Sequence, residues 1–233
     1  MIPELGYIAL ILALAAAVFA AGAAYYGRHT NQPRWIESAR NATIATFPLI
    51  TISCLLMIYS LVQGDFSVEY VWRVSSRDMP TYLKVTALWG GQAGSLLFWN
   101  FLLSVFTAAA MARNWRKQKE LMPYAIMVAS FTQIFFLSIS VFVEHPFARL
   151  PAVPVDGNGL NPLLRHPGMI IHPPMLYLGF VGFTIPYAFA MSALISGKLD
   201  DVWIKITRRW TLVAWLFLSL GLVLGGRWAY DVL

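Results

Sequence analysis

The stretch His166 to Gly197, HPGMIIHPPMLYLGFVGFTIPYAFAMSALISG, runs 32 residues without an Asp, Glu, Lys or Arg. A hydrocarbon core of about 30 Å is crossed by roughly 17 to 25 apolar helical residues, so this run is long enough to span a membrane. Five further uncharged runs stand beside it, at Leu5 to Gly27, Asn41 to Gly64, Val85 to Ala112, Leu121 to Val143 and Trp210 to Gly226. Apolar residues make up 58% of the chain against 12% charged, and the mean hydropathy is +0.62, which excludes an ordinary soluble domain. The expected fold class is an all-α integral membrane protein of about six transmembrane helices, one transmembrane domain over residues 1–233.

Charge sets the expected orientation. The links after the first, third and fifth spans carry Arg28, Arg34, Arg40; Arg113, Arg116, Lys117, Lys119; and Lys198, Lys205, Arg208, Arg209, which is 11 of the 17 Lys and Arg. With four acidic groups these links sum to +7, whereas the other side has six basic and seven acidic groups and sums to −1. The basic links are expected in the cytoplasm and both termini outside. The net charge of +6 is therefore a mark of topology, and no nucleic-acid partner is expected. The first span lacks a basic n-region and reads as a retained helix, not a cleaved signal. Cys54, the single cysteine, lies inside the second run and reads as a small buried residue.

Two outer segments, about 65–84 and 144–172, are the longest links and the expected place of function. The first mixes aromatics with charges and is expected to lie on the bilayer surface. Pro186, in the middle of the fifth run, is expected to kink its helix, with Gly179 and Gly182 allowing close packing.

His172 is the candidate ligand. A residue before proline is pushed out of the helical region, while proline is accepted in a helix's first turn. Pro173 and Pro174 therefore read as the start of a helix, with His172 just outside it. There, the positive end of the helix dipole keeps the imidazole neutral and free to coordinate. Haem needs one such imidazole and an apolar aromatic surface. The plain alternative is an interfacial histidine bonded to a loop carbonyl. His145, His166 and His172 match no zinc spacing, and no zinc is expected. His145 and His166, each before a proline, read as loop hydrogen-bonders. A second unusual string, Trp89-Gly-Gly-Gln-Ala-Gly-Ser-Leu-Leu-Phe-Trp99, removes side-chain bulk at Gly90, Gly91, Gly94 and Ser95 beside Trp89, so something flat or another backbone can approach. A haem-side surface and simple helix packing are both open readings of it.

Several strings together resemble the N-terminal part of the CcmF/NrfE family of bacterial haem lyases. They are Trp89-Gly-Gly-x-x-Gly-Ser-Leu-Leu-x-Trp99, Asn161-Pro-Leu-Leu, Pro167-Gly168, His172-Pro-Pro-Met-Leu-Tyr177, Arg209-Trp-Thr-Leu-x-Ala-Trp215 and Trp228-Ala-Tyr. The resemblance implies a multi-pass protein of the bacterial inner membrane that works in cytochrome c-type biogenesis on the periplasmic side. It further implies that b-type haem in transit is joined to apocytochrome c, with His172 as an axial ligand to the iron. The implied partners are the remainder of the haem lyase, a periplasmic haem chaperone, apocytochrome c with its thioredoxin-like presenting proteins, and the lipid bilayer. In the family the second histidine and a tryptophan-rich haem-contacting segment lie further along, so the expectation is a fragment or one product of a split gene. Gln92-Ala93 departs from the family's polar pair, and no role passes to it, nor to His145 or His166. Two other classes stay open: a noncatalytic assembly scaffold, and a small-molecule or haem transporter. The spans' lack of internal charge speaks against a transporter.

Overall fold

The computed structural model describes residues 1–115 and 119–232, and among these the secondary structure is helical apart from one isolated antiparallel bridge, Val68 with Arg149. The α-helices are α1 Ile2–His29, α2 Pro33–Gln63, α3 Glu69–Val74, α4 Thr81–Thr86, α5 Gln92–Asn114, α6 Met122–Phe142, α7 Pro167–Gly182, α8 Thr184–Ser196 and α9 Asp201–Val232. Short 3₁₀ turns lie at Ala87–Trp89 and Pro162–Arg165. Among the described residues, six helical units are long and apolar enough to cross a membrane: α1, α2, α5, α6, the α7–α8 pair and the Trp203–Val232 part of α9. The chain is a multi-pass membrane protein.

Local chemistry sets the helix limits. Pro3, Pro33, Pro123 and Pro167 occupy first-turn positions, where a missing N–H breaks no helical bond. Gly64 and Gly197 end α2 and α8 at φ of 68° and 70°, the left-handed conformation that glycine adopts without a β-carbon clash. The α7–α8 unit breaks at Phe183, three residues before Pro186. Pro186 has no N–H for the carbonyl of Gly182, and its ring crowds that carbonyl, so the expected kink falls one turn ahead of the proline.

Packing starts from α1. Ala13, Ala17, Ala20 and Ala24 form a fully buried stripe at helical spacing, and without large side chains along it α1 lies close against α2 and α6. On the far side of this bundle, α7 and α9 form a second antiparallel pair, joined to it through α5 and α8. With hydrocarbon outside, polar groups inside the bundle bond across helices. Gln133 of α6 donates to Thr46 Oγ1 of α2 at 3.0 Å, and Asn100 of α5 donates to Ser140 Oγ of α6 at 2.9 Å.

The two outer segments form one packed cap, so the first does not simply lie on the bilayer surface. Phe66, Tyr70, Val74 and Leu83 share a buried cluster with Phe147 and Leu160. Glu69 N–H donates to Ala148 O at 2.8 Å and Leu150 N–H to Ser67 O at 2.9 Å. Arg149 bridges Glu4 at 2.5 Å and Ser67 Oγ at 2.6 Å, tying the cap to the start of α1. At the opposite end of the bundle, Arg28 meets Tyr124 and Glu120 pairs with Lys198 at 2.7 Å. The start of α1, and the last turns of α9 that pack on the start of α7, therefore sit on the cap face. Most of the basic links sit on the other face; Arg116 and Lys117 lie outside the described residues.

Candidate functional site

Helix α7 begins earlier than the Pro173–Pro174 pair indicates. The proline that opens it is Pro167, and the extended residue before a proline is His166, at φ −66° and ψ 140°. His166 caps the helix, its Nδ1 accepting from Gly168 N–H at 3.1 Å. His172 thus lies inside α7, in its second turn, with Pro173 and Pro174 following inside the helix. The expectation of His172 just outside a helix is corrected: the X-Pro restriction is satisfied one turn and a half upstream. The helix-dipole argument falls with it, because that field fades within the first turn.

A different group fixes the imidazole. His172 Nδ1 lies 2.8 Å from the carbonyl oxygen of Gly221 in α9. A carbonyl only accepts, so Nδ1 carries the proton, and in the neutral ring Nε2 holds the free lone pair. Gly225, one turn further along α9, makes room: a β-carbon there would lie 2.8 Å from Nδ1 and 3.0 Å from Nε2. The Trp228 indole stacks beside His172, with centroids 6.1 Å apart and planes 14° apart, and Gly168 lies against that indole. Trp228 Nε1 is buried and has no partner among the described residues. The imidazole is itself half-buried.

Pro173 and Trp89 are linked through the carbonyl of Met169. A proline at 173 cannot donate to the carbonyl of Met169, four residues earlier, so that oxygen needs another donor. Trp89 Nε1 supplies it at 3.0 Å. The indole packs on Phe98, which continues through Tyr177 and Trp99 to Phe180 and Phe136 as an aromatic wall between α5, α6 and α7. Trp89 thus holds the turn that precedes His172 and does not itself stack on the imidazole.

The glycines beside Trp89 are covered by the chain's own side chains. Gly90 faces Leu160, Gly91 faces Tyr70 and Val74, and a β-carbon on Gly94 would overlap the Tyr70 hydroxyl and the Leu88 carbonyl. Tyr70 donates to Ala87 O at 2.7 Å and accepts from Gly91 N–H at 3.1 Å, locking the turn from beneath. Burial pushes the Tyr70 phenol well above its ordinary range, so it stays a donor. Ser95 Oγ donates to Trp89 O at 3.0 Å. The chain's own side chains fill the space at Gly90, Gly91 and Gly94, which supports the packing reading of this string at those three positions. Of the other histidines, His145 stacks on Tyr7 at 3.9 Å and its Nδ1 accepts from Phe147 N–H at 3.1 Å.

Residue-by-residue reading missed Gly221 and Gly225 as neighbours of His172. The signal is the small-residue spacing Gly221-x-x-x-Gly225 in the last span, which matches the small face of α7 at Gly168, Gly179 and Gly182.

The profile of the family described as "Cytochrome C assembly protein" matches residues 89–233. The chain is 41% identical over 231 residues to the cytochrome c-type biogenesis protein CcmF of Pseudomonas aeruginosa, covering 99% of this chain and 35% of the relative. It is 38% identical to CcmF of Escherichia coli, covering 99% and 36%, and 38% identical to NrfE of Haemophilus influenzae with the same coverage. A solved structure described as "Cytochrome c Heme Lyase CcmF" superposes with a TM-score of 0.84 at 28% identity, over 99% of this chain and 36% of that one. The chain therefore spans about a third of the length of these relatives. The chain belongs to the cytochrome c assembly protein family.

Proposed function

We propose that this chain handles haem as a substrate in cytochrome c biogenesis, on the cap face, and that the cap face is periplasmic. His172 Nε2 is the atom that would take an axial position on the iron. The observation that carries the proposal is the 2.8 Å contact between His172 Nδ1 and the Gly221 carbonyl, which leaves Nε2 as the basic atom and raises its donor strength. A ligating histidine held at its other nitrogen by a backbone carbonyl is the arrangement metal sites use to fix ring and tautomer.

The residues around it suit the molecule. Trp228 offers aromatic surface beside the imidazole, Trp89 holds the Met169 turn that precedes it, and the buried Trp228 Nε1, without a partner among the described residues, is a donor for an acceptor on the bound molecule. Haem carries propionate carboxylates that fit such a donor. The iron, once held, keeps the macrocycle in place while its vinyl groups meet the thiols of an apocytochrome; that chemistry belongs to the haem. This chain's part is to orient the imidazole, fix its proton at Nδ1 and supply an apolar wall. A haem chaperone, apocytochrome c with its thioredoxin-like presenting proteins, and the remainder of the family's length complete the assembly in this reading.

The test is covalent haem in a reporter cytochrome, with the rest of the lyase supplied together with this chain. His172→Ala should abolish maturation, and His166→Ala, which removes only a helix cap, should leave most of it. Unchanged maturation in His172→Ala would remove the residue from the mechanism.

A further inference from the structure

We propose a second binding site, at the basic end of the bundle: the crevice between the ends of α1 and α6 takes the phosphodiester headgroup of an anionic phospholipid. A cavity of about 370 Å³ opens there, lined by Tyr25, Arg28, His29, Asn31, Tyr124 and Met127. It lies at the opposite face from His172 and is independent of the haem reading.

Its polar half is built around Arg28. The guanidinium Nε donates to Tyr124 Oη at 3.0 Å and one Nη to Asn31 Oδ1 at 3.4 Å, which fixes the group in place and leaves three of its five N–H donors for a ligand. Neither of those partners is charged. Glu120, whose field reaches Arg28, is already paired with Lys198. His29 lies parallel to Tyr25, with planes 3° apart, and completes the rim. At the end of α1, Tyr26 O already accepts from Thr30 Oγ1 and Gly27 O from Gln32 N–H. A fixed guanidinium with free donors selects a phosphate oxygen.

The apolar half distinguishes a lipid from a free anion. One turn from Tyr25 into the membrane, a β-carbon on Gly22 would meet nothing within 4 Å, and one turn from Met127 Phe131 stands 65% exposed, followed by Phe135 at 60%. This strip continues the cavity into the span, where an acyl chain can lie. Tyr25, Tyr26 and Trp35 place the cavity at headgroup depth. A charged recess above and an apolar strip below match one amphiphile, and basic pockets between spans on this side of a membrane suit anionic headgroups.

The experiment is native mass spectrometry of the chain released from nanodiscs of phosphatidylcholine carrying either phosphatidylglycerol or phosphatidylethanolamine. Wild type should retain phosphatidylglycerol in preference to both other lipids. Arg28→Gln should lower that retention roughly 5-fold. Met127→Trp fills the recess without altering charge and should lower it as well, whereas Arg113→Gln, a basic residue of the same face outside the cavity, should not. Inorganic phosphate added before release should leave the lipid bound. Equal retention by wild type, Arg28→Gln and Met127→Trp would overturn the proposal. Displacement by inorganic phosphate would overturn it too, by making the site one for a free oxyanion.

Discussion

Removal of the Trp89 N–H should matter only while residue 173 is proline. Pro173 leaves the Met169 carbonyl without its helical donor, and Trp89 Nε1 fills that place at 3.0 Å. Trp89→Phe loses the bond and some packing. Between helices in a membrane such a bond contributes about 0.6 kcal/mol on average and up to about 1.7 kcal/mol. The Met169 carbonyl has no helical donor and lies in a part-buried contact, which puts this case toward the upper end, at about 1 to 1.5 kcal/mol. In a Pro173→Ala background, the backbone N–H restored by the substitution can take up the Met169 carbonyl, so Trp89→Phe loses packing alone. The packing loss is common to both backgrounds and cancels in the double-mutant cycle. Reversible unfolding of the four proteins in mixed micelles should therefore give a coupling of about 1 kcal/mol. A coupling indistinguishable from zero would refute the claim that this indole replaces the missing helical donor.

Gly225→Val should push the His172 ring off the Gly221 carbonyl, because its β-carbon would lie within 3.0 Å of both ring nitrogens; titration with haem should show affinity reduced at least ~10-fold, with helix content by circular dichroism unchanged. Tyr70→Phe deletes the hydroxyl that locks Ala87 and Gly91. It should destabilise the chain by about 1 to 2 kcal/mol in the same micelle assay, without altering the His172 contact. Burial lowers the His145 pKa below its ordinary value near 6.5, so the folded state favours the neutral ring. Its contribution is complete above about 6.5 and is lost as pH falls through the lowered folded value, because the unfolded chain binds the proton more readily. The protection factor of the Phe147 amide, whose N–H is held by His145 Nδ1, should fall as pH drops below about 6.5 and should not in His145→Gln.

Much of the fold was legible because long uncharged runs have only one stable use in a membrane. The six runs map onto the six spans, with limits that differ where caps and prolines intervene, as α5 begins at Gln92 after a 3₁₀ turn, not at Val85. The chain's likeness to the cytochrome c assembly family was also legible, since its strings recur in order along the sequence. Three features were not. The start of α7 was misplaced because His166-Pro167 and His172-Pro173 obey the same local rule, and only tertiary contacts decide that a proline pair is carried inside a helix. The covering of Gly90, Gly91 and Gly94 by Tyr70 and Leu160 depends on residues remote in sequence. The Gly221 carbonyl beside His172 lies 49 residues away, and its role rests on the crossing of α7 and α9, which periodicity alone does not fix.

His172 Nε2 is the atom proposed to meet haem iron. Absorption spectra of the purified chain titrated with haem, for wild type, His172→Ala and His172→Ala with added imidazole, test that assignment most directly. A histidine-ligated Soret band is expected in wild type, with its loss in His172→Ala and its return with free imidazole. Identical spectra and affinities for wild type and His172→Ala would contradict the assignment.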